Sequence, residues 1–587
     1  MLIERGAVVE QDGRWLAAAS ITDVEVPDTI EALVRARLDA LPRSERTVIQ
    51  GASVIGRTFQ RSAVATLVDE PVERHLEQAV LRDIVSEEPA ADPSYRFKHI
   101  VIRDVAYATL PKTRRADLHL RTVEWLVGWA GDRRDEFIEI EAYHLEQAAQ
   151  LRREMDGGVD PDLLGTAVAA LRRSAEKALA RADNRSRIAF AERALALEPP
   201  ADEARLEIET LLAEGYSRRG DTPRAAEMGR RIADTAEAVG RQDLHGRGLL
   251  LVGYGVWIGR GEQSDKTEAI ALLREAADDL EAAGDLVHQA DALYFLGMEG
   301  WWDGDLAKAR EIWDRGAEVA HRSGSAGREV GFLLQLSRLE DVQGRQQQAA
   351  AYIARAAELA AETSRLTQSQ VWRLQGAYLF EAGGDRADAI RLMTDSLVVA
   401  EESDDFTSRY YALHRLGELA LVVGDLETAS ARFREAVDLV EAADHIGWLP
   451  EAHRHLAQVL VEQGDLSGAE RHALRGVATV APDDVFSVAS TKMALGMLRD
   501  AQGRADEAGE LLIEALHVAR TSNYTSNVTE MLLALGVHQI ANGQTAAGEA
   551  TTTEARQIFS SCYGPRTPFL AYADRLAAAA RARAAAR

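Results

Sequence analysis

Residues 304–309 read GDLAKA, and the word returns down the chain at a nearly constant interval. It is GRQQQA at 344–349, GDRADA at 384–389, GDLETA at 424–429, GDLSGA at 464–469, GRADEA at 503–508 and GQTAAG at 543–548. The step is 40 residues except once, where it is 39. A self-similar period of this size marks a stacked repeat array. Each position of the word has a physical reason. The glycine (Gly304, Gly344, Gly384, Gly424, Gly464, Gly503, Gly543) suits the left-handed backbone that ends a helix. The Asp that often follows can cap the next helix. Five residues past the glycine stands Ala309, Ala349, Ala389, Ala429, Ala469, Ala508 or Gly548. A small side chain there lets the two helices of a hairpin approach closely.

Working back from the turn, another small residue recurs seven positions earlier: Gly297, Ser337, Ala377, Gly417, Ala457, Gly496, Gly536. One small position per helix at fixed offsets is what stacked hairpins need. An earlier unit fits at Ala213, Tyr216, Gly220, Asp221 and Ala225, and a degenerate one crosses 246–284. Residues 178–200 read as the second half of a first repeat. The expected fold is therefore mainly α, an α-solenoid of helical hairpins about 40 residues long. The solenoid is expected over 205–562, linking helices and a first repeat over 131–204, and a tail over 563–587. The tail's DRLAAAARARAAAR is expected to be a helix that frays.

Composition agrees. Hydrophobic residues are 46%, charged residues 28% and aromatics only 6% of 587 residues, with 14 prolines. No apolar run is long enough to span a bilayer, and the charged start, MLIERGAVVEQDGRW, lacks the core of a signal peptide. A cytoplasmic location and no membrane partner are the expectation. A single cysteine, Cys562, excludes internal disulfides and thiolate metal clusters. The net charge of −26 is uneven. Residues 1–130 hold 17 Lys/Arg against 20 Asp/Glu, and the remainder holds 51 against 74. So acidic an array repels phosphate backbones, and nucleic acid is an unlikely partner.

The first 130 residues read differently. In AVVEQDGRWLAA (7–18), Asp12-Gly13 between β-prone runs signals a hairpin. A helix follows through VPDTIEALVRARLDALP, entered at Pro27 and Asp28. Further helices are expected through SERTVIQGASVIG (capped at Ser44), FQRSAVATLVD and VERHLEQAVLRDIV. IVSEE and YRFKH then form a two-stranded wing. Short helices followed by a wing describe a small winged-helix domain over 27–130. Such domains often bind DNA, but in VERHLEQAVLRDI the carboxylates outnumber the arginines, which is wrong for a major-groove reader.

VPDTIEALVRARLDALP, VIGRTF, YRFKHIVIRDVAYATLPKTRRADLHLRTVEWL and EAYHLEQAA follow one another in order. Together they resemble the winged helix and following helices of the STAND signalling ATPases, of the adenylate-cyclase-linked and LuxR-type kinds. The repeats resemble the tetratricopeptide repeat in its elongated form. The resemblance implies the C-terminal part of such a regulator, with the nucleotide-binding domain missing and residues 1–26 a β-hairpin remnant of the preceding ATPase module. It also implies a role for the histidine that opens the helix after the wing, here His99, as a latch on the phosphates of ADP. That family's Met-His-Asp word has Asp next, where this chain has Ile100. ADP or ATP would matter only if a longer chain or a partner supplied an ATPase domain; no other cofactor is expected.

Catalytic words are missing. The nearest string to a P-loop, Arg260 to Thr267, replaces both required glycines and puts Asp265 where a phosphate would lie. VGYGVWIGRG at 252–261 follows no strand and reads as a helix with small packing residues. His453 and His455 are two apart, face different ways on a helix, and are expected at the surface. No enzymatic activity and no metal site is expected.

One enrichment points to binding. Tyr254, Trp257, Tyr294, Trp301, Trp302 and Trp313 fall within about sixty residues, and five of the nine tryptophans lie between 257 and 372. Aromatics on the first helices of a solenoid line its concave face or fill the space between helices. The expected function is a non-catalytic sensor or scaffold segment that binds a protein or small-molecule effector in its groove. It would work with an upstream or separate ATPase module, and self-association is possible. The alternatives are a free-standing tetratricopeptide adaptor and a regulator that binds DNA through the winged helix.

Overall fold

The computed structural model describes residues 8–11, 14–17, 29–88, 92–200, 203–259, 266–522 and 524–586. The chain divides into two compact units, Met1–Ser174 with Arg193–Pro200, and Ala175–Glu192 with Ala201–Arg587.

In the first unit, strands Val8–Gln11 and Arg14–Ala17 pair antiparallel with Val8 opposite Ala17. The Asp12-Gly13 turn and the Pro27-Asp28 helix entry lie outside the described residues. Helix Ile30–Asp39 begins at Thr29, whose hydroxyl accepts from the Ala32 amide. Helices Arg43–Ile55, Arg61–Leu67 and Val72–Leu81 follow, with a three-stranded antiparallel sheet. Its central strand is Ser94–Phe97, flanked by Thr58–Gln60 and Val85–Glu88.

Two local expectations are corrected here. Phe59 and Gln60 belong to a strand, and the helix starts only at Arg61. Phe59 is buried beside exposed Thr58 and packs on Phe97 at 5.4 Å, so the local period is that of a strand. Ser44 lies inside its helix, which begins after Pro42 with no side-chain cap. Further on, Lys112–Ala130 packs on Ile138–Asp156. A buried polar chain joins them: Tyr107 Oη to His119 Nε2 at 2.9 Å, and His119 Nδ1 to His144 Nδ1 at 2.8 Å.

The second unit is a stack of helical hairpins. Successive pairs are Glu203–Arg219 with Thr222–Val239, Gln242–Ile258 with Thr267–Ala283, and Leu286–Asp303 with Leu306–Arg322. Ala326–Val342 with Gln346–Ala360, Arg365–Glu381 with Arg386–Glu402, and Phe406–Val423 with Leu426–Ala442 follow. The last are Leu449–Gln463 with Leu466–Thr479, Val485–Ala501 with Ala505–Thr521, and Thr525–Ala541 with Thr545–Tyr563. Among the described residues, no helix is long and apolar enough to cross a membrane.

The turn glycines take positive φ, for example +75° at Gly304 and +86° at Gly424. The exception is at 383–385, where Gly383 is the left-handed residue, not Gly384. That turn carries one extra residue before its cap. Asp305, Asp385, Asp425 and Asp465 each accept from the backbone amide three residues on, at 2.9–3.1 Å. The small residues sit where helices touch: a Cβ on Gly417 would lie 2.6 Å from the Phe433 ring, and one on Gly297 would run into the Trp313 indole.

The stack winds tightly enough to meet itself. The Gly304 turn rests against Val485 and Ser522, the Gly344 turn against Cys562, the Gly383 turn against Arg566 and the Gly424 turn against Arg575. Each turn thus meets chain well over a hundred residues later. The small rotation between neighbouring hairpins adds up to a full superhelical turn after roughly five of them.

The C-terminal helix Pro568–Ala585 does not fray, contrary to the expectation. Tyr572, Ala573, Ala577 and Ala580 are buried, and Arg575 donates to the carbonyls of Leu421 and Val422 at 2.9 and 3.0 Å. Its alanines let it lie flat against Thr525–Ala541, and Arg575 satisfies carbonyls at the end of another helix.

Candidate functional site

The superhelix encloses a cavity of about 630 Å³, lined mostly by the first helix of each hairpin from Leu286–Asp303 to Thr525–Ala541. The C-terminal helix adds Tyr572, Arg575 and Arg583. These first helices bury side chains on nearly every side; Leu532, Leu533, Ala534 and Leu535 are buried in succession. A helix with neighbours all round no longer needs a single apolar stripe, which frees positions for polar groups aimed inward.

Those polar groups are charged. Arg338, Arg373, Arg415 and Arg454 come from four successive first helices, and Asp341, Glu381, Glu418, Glu451 and Glu530 share the same wall. Arg415 Nη1 lies 3.0 Å from Glu418 and 3.5 Å from Glu381. Arg454 pairs with Glu451 at 3.0 Å and Glu530 at 3.2 Å. Burial alone would raise the Glu418 carboxyl, but His414 and Arg415 together hold it well below the usual range. Burial, then the neighbouring Asp341 carboxylate, pushes Glu381 well above it. Burial, then Arg338 and Arg415, brings Arg373 down to about 9.

A possible metal-ligand set lies here too: His414, Glu418 and His455 offer ligand atoms within 4.8 Å of one another. His455 Nδ1 meets the Glu451 carbonyl at 2.9 Å, and its Nε2 faces Glu418 Oε1 at 3.7 Å. Glu418 is already engaged by Arg415, so the structure supplies the carboxylate with a cation of its own. The histidine expectation is corrected: His453 and His455 are 1% and 2% exposed, not at the surface. They do face different ways, His453 to His472 Nδ1 at 3.0 Å and His455 to His414. Their hairpin is packed from both sides, which no single-helix reading shows.

The aromatic residues singled out from sequence divide in two. Trp301 and Trp302 line the cavity. Trp257 stacks behind Trp302 at 4.9 Å and is 2% exposed. Trp313 is fully buried, and its Nε1 donates to the Tyr294 carbonyl at 3.0 Å. Tyr254 packs on Phe295 at 4.5 Å, and the Tyr294 hydroxyl accepts from the Gln335 amide. These four residues hold helices together behind the wall. In the first unit, His99 is exposed, flanks helix Ile100–Ala108 and caps none of its amides with its side chain.

No motif in the sequence singles out the arginines or Tyr411 individually. A signal was available: Arg followed closely by Leu recurs at 338–339, 373–374, 415–416 and 454–456, once per first helix.

Comparison with known proteins bears on the second unit. Residues 365–583 match the MalT-like TPR region family, so this stretch is a tetratricopeptide-type helical repeat region. No curated protein matches the chain. Among solved structures, a STAND protein with a tetratricopeptide repeat sensor from Pyrococcus horikoshii is 14% identical, covering 77% of this chain and 69% of its own, with a TM-score of 0.32. A Rap protein complexed with competence and sporulation factor is 12% identical, over 61% and 98%, with a TM-score of 0.44. Aspartyl phosphate phosphatase F from Bacillus subtilis is 14% identical, over 62% and 96%, with a TM-score of 0.37.

Proposed function

We propose that this chain is a non-catalytic sensor segment of a STAND-type regulator, and that its solenoid cavity binds a small effector or short peptide. The observation that carries this reading is the cavity itself, large enough for a drug-sized ligand and lined in large part, though not at Trp301, Trp302 or Arg338, by the stretch that matches the MalT-like repeat region. Its wall combines Trp301, Trp302, Tyr411 and Trp448 with buried charges, the mixture of apolar area and convergent polar groups that ligand sites use. The solenoid acts by binding, without chemistry of its own.

In the same reading residues 27–130 of the first unit are a winged-helix domain, supported by three short helices packed on a three-stranded antiparallel sheet. Its His99 would serve as the nucleotide latch when an ATPase module is supplied by a longer chain or a partner. A cytoplasmic location goes with this role.

The test is a thermal-shift screen of the full chain against short peptides and small metabolites, repeated with Trp302→Ala. Binding that raises the melting midpoint and is lost in the variant supports the reading. Hits that bind wild type and variant alike would place the effector elsewhere and refute it.

A further inference from the structure

Besides Arg575 and Arg583 of the C-terminal helix, four guanidiniums of the first helices face the cavity, and these four are not equally provided for. Arg415 and Arg454 each hold two carboxylates within 3.5 Å. Among the described residues, the hydrogen-bond partners of Arg338 are Gln335 Oε1 at 3.1 Å and the Tyr411 hydroxyl at 3.5 Å, with no carboxylate. Arg373 is 7% exposed, and among the described residues no carboxylate pairs with it. Its Nε is buried without a hydrogen-bond partner. Both Arg338 and Arg373 lie over the Tyr411 ring, each 5.1 Å from its centroid, and Arg338 also lies 4.9 Å from the Trp301 ring.

A ring face recovers only part of what a guanidinium loses on leaving water. Two adjacent cations also repel each other where solvent is excluded. Asp341 acts on Arg338 only through space, and Arg373 has no directly paired carboxylate among the described residues. Burying Arg373 beside a second cation in this way is costly, and a fold that needed only packing would place an apolar side chain there. The arrangement makes sense if the missing anion arrives with the ligand, since guanidinium forks bind carboxylate and phosphate oxygens in pairs.

We infer that the cavity wall at Arg338 and Arg373 is an oxyanion site: the ligand carries a carboxylate or phosphate held by these two arginines, with a flat apolar part against Trp301, Trp302 and Tyr411. This rests on the reading of the cavity as an effector site and names the chemistry of its ligand.

The test uses the full chain and three probes, phenyl phosphate, phenylacetate and the neutral 2-phenylethanol, followed by calorimetry and tryptophan fluorescence at low salt. The two anions bind saturably and roughly tenfold or more tighter than the alcohol, and the tighter of the two identifies which oxyanion the site prefers. Arg373→Met weakens anion binding by roughly tenfold or more and, without ligand, melts above the wild type, because an unpaired buried charge has been removed. A merely structural arginine would do the reverse, so a lowered melting point in Arg373→Met overturns the inference. Failure of that variant to fold counts as the same overturning result; Arg338→Met, at a partly exposed position, gives a second binding comparison and is expected to weaken anion binding as well. Alcohol binding as tight as that of the anions, lost in Trp302→Ala, overturns the oxyanion site while leaving the effector reading intact. Binding of none of the three overturns it as well, and the wider screen then decides the effector reading separately.

Discussion

The outer and inner helices of the solenoid obey different rules. An outer helix such as Leu426–Ala442 keeps one buried stripe, Ala429, Phe433, Ala436, Val437 and Val440, and leaves its other face to solvent. An inner helix such as Leu449–Gln463 buries Ala452, His453, Arg454, His455, Leu456 and Ala457 without interruption. On the outer layer, burial and hydrophobicity coincide, so stability and sequence pattern say the same thing. On the inner layer, charged and imidazole groups are buried alongside leucine. Burial there is imposed by neighbours on every side, and polar groups survive by pairing with one another.

The comparison can be broken at several points. The largest effect is expected from Trp313→Ala, which empties the space against Gly297. Loss of a fully buried indole costs about 3–5 kcal/mol, measurable by urea unfolding. Nearly as large is Arg454→Met, expected to cost about 3–5 kcal/mol because Glu451 and Glu530 lose their buried cation. The same measurement on this variant and on Arg373→Met should give opposite signs. Equal signs would mean that pairing does not distinguish the inner arginines.

Acid should act on the buried imidazoles. Burial, followed by nearby positive groups, lowers His455 to about 4, and burial lowers His445 to about 3. In the first unit, burial, then His144, lowers His119 to about 3. A histidine whose folded pKa lies below its unfolded value of 6.5 contributes stability that is complete above that value and is lost as pH falls. Each should therefore cost about 1–2 kcal/mol on moving from pH 7 to pH 5, read by denaturation at the two pH values.

Smaller effects belong to the turns and the outer surface. Asp425→Ala removes the cap on Thr428 and should cost about 1 kcal/mol. Arg391→Ala breaks an exposed pair with Asp388 and should change stability by less than about 0.5 kcal/mol.

Much of the outer architecture was legible in the sequence, and much of the site was not. The turn word located the caps at Asp305, Asp425 and Asp465 and the contact alanines, because these are local or nearest-neighbour features. It misplaced the left-handed residue at Gly383 because two glycines stand together and only the backbone decides between them. The tryptophan cluster mixes Trp301 and Trp302 on the cavity wall with Trp257 and Trp313 behind it, since core and groove positions use the same residue types. Arg338 and Arg373 do not stand out individually, because arginine on a helix is ordinarily a solvated residue, and the Arg-Leu recurrence shows only when the first helices are compared with one another. Sequence alone suggests fraying of the C-terminal helix because much of what it packs on, such as Phe406–Val423, is far away in sequence.

From sequence alone came the hairpin, its period, its caps and its small-residue contacts, because each depends on side chains within one repeat or the next. The tertiary structure decided how the stack winds, which charges are sealed inside and that the last helix docks against the wall. The reason is cumulative: a slight rotation at each interface closes the superhelix only after several repeats, and no single word encodes that sum.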